Sequence, residues 1–142
     1  MILPDVSVLV YAHRRDTEEH RPLRRWLEGV IGADQAYALS DLVLSGFIRV
    51  VTHPRIFREP SPLDDALAFA GQLLDQPHCV LVQPGPRHWD IFAGLCKKAS
   101  ARGNLVPDAF FAALAIEAGC EWITTDRDFA RFEGLRWRHP LR

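Results

Sequence analysis

Four aspartates stand where a carboxylate can do chemistry. Asp5 follows the apolar start Met1-Ile2-Leu3-Pro4. Asp108 follows Leu105-Val106-Pro107 and opens an alanine-rich helix. Asp126 and Asp128 follow Trp122-Ile123-Thr124-Thr125. Each lies where a hydrophobic strand ends or a helix begins, and an open parallel α/β sheet binds ligands outside the carboxyl ends of its strands. Carboxylates gathered there repel one another unless a cation neutralises them, so the pattern suggests a divalent metal and metal-assisted chemistry. Three or four oxygen donors, with water in the remaining positions, suit Mg2+ or Mn2+ beside a substrate phosphate. Two such ions roughly 3.5–4 Å apart would activate a water and stabilise the leaving oxygen of an in-line displacement. The hydroxyls of Ser7, Thr124 and Thr125 are placed to orient carboxylates or water.

Taken singly, these acids have plainer readings. Asp5 can cap a helix, and Asp108 lies in a first turn where the helix dipole favours negative charge. Asp126 and Asp128 flank Arg127 in an ordinary loop position. Jointly the plain readings weaken, because every acid falls at the same edge of the sheet. Competing chemistries lack their residues. Leu44-Ser45-Gly46-Phe47 lacks the first glycine of a nucleophile elbow, and no glycine-rich phosphate loop or dinucleotide fingerprint occurs. Asp5-Val6-Ser7 has a serine where an aspartyl-phosphate hydrolase needs a second acid. The early acidic pair and late lysine of a receiver domain are both absent.

The elements that must position these acids follow from periodicity and punctuation. Ile2 to Pro4 reads as a strand. Val6, Leu9 and Val10 fit a short helix or a strand continuing to Tyr11. After the polar break Asp16–Glu19, Leu23, Trp26, Leu27, Val30 and Ile31 mark an amphipathic helix that Gly32 ends. Gln35 to Leu39 is a second strand, and Ser40 caps a helix from about Asp41 to Val51. The prolines between His53 and Pro62 demand a loop, after which Ser61 is expected to cap a helix carrying Leu63, Ala66, Leu67, Ala70, Leu73 and Leu74. Val80–Val82 is a third strand. Trp89, Phe92, Ala93 and Cys96 share one face of the next helix, which Arg102-Gly103-Asn104 ends. Pro107 suits the first turn of the helix that follows, which Gly119 stops. Glu121–Thr125 and Leu135–Trp137 complete the strands. Strands alternating with helices imply a parallel sheet with right-handed crossovers.

With 142 residues the chain makes one domain, 1–142, with a sizeable core, and its 48% hydrophobic and 25% charged composition is that of a globular protein. No apolar run approaches the roughly 20 residues that span a bilayer. The start lacks the basic and apolar regions of a signal peptide, so a cytoplasmic location is expected. Cys79, Cys96 and Cys120 match no zinc spacing, and buried thiols with a surface His88 are the plainer reading. The net charge of −1 excludes a global basic field. The basic residues are nearly all arginines, clustered at 14, 15, 21, 24 and 25 and again at 49, 55 and 58. Arginine suits bidentate phosphate contacts, although a solvated helix face explains any one of them equally well.

Three segments together carry a family resemblance: Leu3-Pro4-Asp5-Val6-Ser7-Val8-Leu9, Val106-Pro107-Asp108-Ala109 with its alanine-rich helix, and Thr124-Thr125-Asp126-Arg127-Asp128-Phe129. In order and spacing the chain resembles the PIN-domain nucleases, specifically the VapC toxins of toxin–antitoxin pairs. Leu44–Val50 followed by Thr52-His53-Pro54-Arg55 looks like one mycobacterial-type subgroup. The resemblance implies a three-layer α/β/α sandwich around a mostly parallel sheet and Mg2+ or Mn2+ at the acids. It implies metal-dependent endoribonuclease activity on single-stranded RNA, a homodimer, and a small VapB-like antitoxin that blocks the site. Asp5 and Asp108 carry over as primary metal ligands, Asp126 as a further ligand or water-positioner and Asp128 as an outer acid. Ser7, Thr125 and Arg49 are the candidate substrate contacts, Ser7 matching the family's small hydroxyl. The family's glutamate after the second strand falls here on Gly46. Asp41 lies five residues earlier, a net turn of about 140° away on a helix. A non-catalytic module that binds an antitoxin or RNA is therefore the alternative to an enzyme.

Overall fold

Strand β1 (Ile2–Pro4) is too short to stand alone, and its neighbours define the architecture. The computed structural model describes residues 1–142. In it β1 pairs in parallel with β4 (Glu121–Ile123), with Leu3 opposite Trp122, and β4 pairs in parallel with β5 (Trp137–Arg138). Strand β2 (Tyr37–Leu39) pairs in parallel with β3 (Cys79–Leu81) as a separate ladder. β1 lies against β2, so the spatial succession is β3-β2-β1-β4-β5. The order reverses between β1 and β4, and that reversal is where an open α/β sheet leaves a crevice.

Six helices flank the strands: α1 (Val6–His13), α2 (His20–Gly32), α3 (Asp41–Val51), α4 (Leu63–Leu74), α5 (His88–Ala99) and α6 (Leu105–Ala118). α1 packs on α2 and α3, α3 on α4, and α5 on α6. These two helical groups give the expected α/β/α layering. Leu3, Tyr37, Leu39, Phe47, Leu114 and Trp122 are fully buried in one continuous core. α6 can approach closely because Ala109, Ala112, Ala113 and Ala115 present no bulk and are completely buried. Gly119 ends it at φ 69°, a left-handed position that glycine takes without strain.

The helix after Asp5 is real, and the strand alternative is not. Asp5 supplies the reason: its carboxylate accepts the Val6 N–H at 2.6 Å and caps α1. Ser40 caps α3 as its sequence predicts, accepting from the Leu42 N–H. Ser61 does not cap α4. The N-cap is Pro62, with no side-chain cap bond, because the Ser61 hydroxyl is engaged by His13 Nε2 and Arg14 Nη1, each at 3.1 Å. His88, expected at the surface, is 3% exposed, and its Nε2 lies 2.9 Å from the Phe110 carbonyl oxygen. That partner, with Phe110 in edge contact, turns His88 and Leu95 of α5 inward and leaves Trp89 exposed. α5 ends at Ala99, before Arg102, with Ser100 in the left-handed region at φ 50°. Among the cysteines only Cys120 is buried; Cys79 and Cys96 are partly exposed. The strand ends shift by one or two residues, since β2 begins only where Tyr37 meets Cys79.

Candidate active site

The acids come from three elements that meet at the β1/β4 reversal. Asp5 lies just past β1, and its N–H donates to the Ile123 carbonyl at 2.8 Å, extending the β1–β4 ladder by one residue. Asp5 is 7% exposed. Its second carboxylate oxygen accepts the Thr124 hydroxyl at 2.6 Å. Thr124 is completely buried, and the same hydroxyl oxygen accepts the Asp126 N–H at 3.0 Å. One hydroxyl therefore ties the carboxylate after β1 to the backbone after β4. Asp126 in turn accepts the Asp128 N–H at 2.9 Å and starts a short 3₁₀ helix, Arg127–Arg131. Asp108 sits in the first turn of α6.

Asp5, Asp108 and Asp126 line one open cleft of about 610 Å³, together with Ser7, Tyr11, Gly46, Arg49 and Asn104. Burial pushes the Asp5 carboxyl up to about 6, against the downward pull of Thr124 and Val6, and the charges of Asp108 and Asp126 raise it further. Burial also pushes Asp108 up to about 6, helped by the charges of Asp126 and Asp128. Two carboxyls both pushed up to about 6 at one crevice make it the candidate active site. Asp128 does not line the cleft and acts on Asp108 only through its charge. Thr125 does not line it either; its hydroxyl donates to Ser7 Oγ at 3.2 Å and so supports a residue that does. Arg49 is exposed on the cleft wall and makes no ion pair.

The donor set is all hard oxygen, with no histidine or cysteine in the cleft, which fits Mg2+ or Mn2+ and not a softer metal. The side chains as they stand form no ready cage of three or more acidic, histidine or cysteine ligands. Mg2+ commonly takes one or two carboxylates and keeps several waters, so the set remains suited to it. A bound cation would relieve the repulsion that raises Asp5 and Asp108. The slot at Gly46 is closed by packing: a Cβ there would meet Val6 Cγ2 at 2.9 Å. Asp41 is exposed and away from the cleft, so it does not fill that role.

Sequence reasoning missed the cleft's apolar lining. Val50, Ile56, Phe57 and Phe111 belong to it, but an apolar residue in a sequence reads as core. Arg14 was grouped with solvated arginines, yet it is 8% exposed. Its neighbour Asp16, two residues on, was the available sign of a pairing.

Comparison with known proteins agrees with this geometry. Residues 2–135 match the PIN domain. The chain is 48% identical over 141 residues to ribonuclease VapC43 of Mycobacterium tuberculosis, covering 99% of this chain and 96% of that one. It is 44% identical over 140 residues to ribonuclease VapC25 of the same organism, covering 99% of each. Its fold is similar to VapBC2 of Rickettsia felis, solved with a promoter DNA fragment, at TM-score 0.70 and 16% identity over 98% of both chains. It is also similar to the toxin VapC20 of M. tuberculosis at TM-score 0.64 and 17% identity, over 96% of this chain and 99% of that one. The chain therefore belongs to the PIN-domain family and, within it, to the VapC ribonucleases.

Proposed function

We propose that this protein is a Mg2+- or Mn2+-dependent endoribonuclease that acts as the toxin of a toxin–antitoxin pair in the cytoplasm. The observation that carries the reading is the meeting of Asp5, Asp108 and Asp126 in one cleft. Relatives named as ribonucleases support the substrate class, and the fold neighbour VapC20 is a sarcin–ricin-loop-cleaving toxin. When bound, the cation supplies an activated water and offsets charge on the phosphate. Asp5 and Asp108 would hold it, and Asp126 would be the further ligand or position water. Thr124 fixes Asp5 in register with Asp126. Asp128 adds negative field from outside. Ser7, steadied by Thr125, lies beside the reacting phosphodiester. Arg49, exposed in the cleft lining and without an ion pair, takes a neighbouring phosphate. The products are a 5′-phosphate and a 3′-hydroxyl. A small VapB-like antitoxin and a homodimer complete the proposal; neighbours solved as VapBC complexes support the partner.

The test is cleavage of single-stranded RNA by the wild type beside Asp5→Asn, with Mg2+, Mn2+ or EDTA. Cleavage should require the metal and Asp5. Equal growth of cells expressing the two forms would count heavily against a toxin. A second reading, a binding module without turnover, draws on the closed slot at Gly46 and the absence of a ready three-ligand cage. It predicts tight RNA or partner binding and no turnover at any metal concentration.

A further inference from the structure

The loop between α3 and α4 puts an exposed hydrophobic residue into the lining of the acids' cleft. Ile56 is 50% exposed and lines the same cleft as Asp5, Asp108 and Asp126. The loop holds its shape by few backbone bonds. Ile56 and Phe57 N–H both donate to the His53 carbonyl at 3.1 Å, and Ser61 N–H donates to Val51 at 2.8 Å. The stretch between is pinned by Arg14 from the end of α1. Its Nη1 donates to the Glu59 carbonyl at 2.8 Å and to Ser61 Oγ at 3.1 Å. Its Nε and Nη2 grip the two Asp16 oxygens at 2.9 and 2.5 Å. Its guanidinium also lies 4.0 Å from the centroid of the Phe57 ring. Phe57 is half-buried with that contact, whereas Ile56 beside it is exposed. No lysine reproduces this planar fork.

Resting on the RNA reading above, we propose that Ile56 is a specificity residue whose side chain packs against an unpaired nucleobase, with Arg14 as the positioning residue that holds it there. Sequence-specific RNA recognition targets splayed, unstacked bases, and these need an apolar surface beside the backbone-binding groups. The cleft holds those groups together: Ile56 and Val50, the three acids and Arg49 all line it.

The experiment compares binding of a short single-stranded ribo-oligomer and an abasic ribose-phosphate oligomer of equal length and charge, with Ca2+ as the cation. The wild type should prefer the oligomer with bases by about fivefold. Ile56→Ala and Arg14→Lys should each bring the ratio close to one, while Ile56→Leu keeps most of it. Arg14→Lys should leave binding of the abasic oligomer unchanged, an outcome that a general loss of structure would not give. Ile56 is exposed, so its variants carry the test even where Arg14→Lys melts early. An undiminished ratio in Ile56→Ala, or no base preference in the wild type, overturns the inference. RNA cleavage with an unchanged ratio overturns it and leaves the nuclease reading standing. Base preference lost in Ile56→Ala, in a chain that cleaves nothing, supports the inference and sinks the nuclease reading.

Discussion

Helix α6 carries a carboxylate at each end, Asp108 in its first turn and Glu117 in its last. The helix dipole favours negative charge at the first and disfavours it at the second. Both acids titrate the other way. Asp108 is pushed up to about 6 by burial and by Asp126 and Asp128. Glu117 is held below its ordinary range because its two oxygens accept the Gly85 and Arg87 N–H groups at 2.6 and 2.9 Å. The contrast teaches that immediate neighbours outweigh the helix field. Glu117 is satisfied and ties the Pro84-Gly85-Pro86 turn to α6. Asp108 is left unsatisfied, in company that repels it, which is what a cation site requires.

The largest effect expected from breaking this contrast is on catalysis. Asp108→Asn should lower RNA cleavage by well over about a hundredfold, while Glu117→Gln leaves the rate unchanged, both read on labelled single-stranded RNA. The second prediction asks whether the cleft end can accept another group. Gly46→Ala should cost about 1–3 kcal/mol in urea unfolding by overpacking against Val6, and Val6→Ala should recover part of it.

A third prediction follows from the raised carboxyls. An acid whose folded pKa lies above its unfolded value favours folding while protonated. Its penalty grows as pH rises from the unfolded value of 3.8 through about 6. Without added metal, Asp5→Asn should therefore be more stable than wild type at pH 7, by about 1–2 kcal/mol, and the gap should close by pH 4. Adding Mg2+ should raise the wild-type Tm more at pH 7.5 than at pH 5 and should hardly affect Asp5→Asn. The smallest effect belongs to Glu117. A lowered pKa gives stability that is present above the unfolded value of 4.5 and lost as pH falls through the folded one. Glu117→Gln should lower Tm slightly at pH 7, with the difference vanishing in acid.

Much of the helical frame was legible because it rests on local chemistry: the Ser40 cap, the Gly119 stop and the α2 stripe are written within a few residues. The acids were legible for a related reason, since each follows an apolar run that reads as a strand end or, at Asp108, as a helix start. Pairings across long separations were not legible. Ser61 looked like a cap until Arg14 and His13 took its hydroxyl. His88 looked superficial until the Phe110 carbonyl gave it a buried partner. Gly46 looked like a missing side chain, whereas Val6 occupies the space. Ile56 and Phe57 were hidden because only the fold distinguishes an apolar cleft wall from core. The Asp126 and Asp128 roles were ranked in the sequence, but Thr124, which links the site, was one of three equivalent hydroxyls there.

The bond from Thr124 to Asp5 spans 119 positions of the chain. A ribosome makes Asp5 well before Thr124 and Asp126, so a growing chain carries one part of the crevice without the other. Synthesis proceeds at about 5–20 residues per second, which leaves several seconds in which the nascent polypeptide has no completed site. A truncated product ending before β4 would lack one of the cleft's carboxylates and the hydroxyl that registers another. For an enzyme that would attack RNA in the cell that makes it, this chain order delays the hazard until β4 and Asp126 have been made.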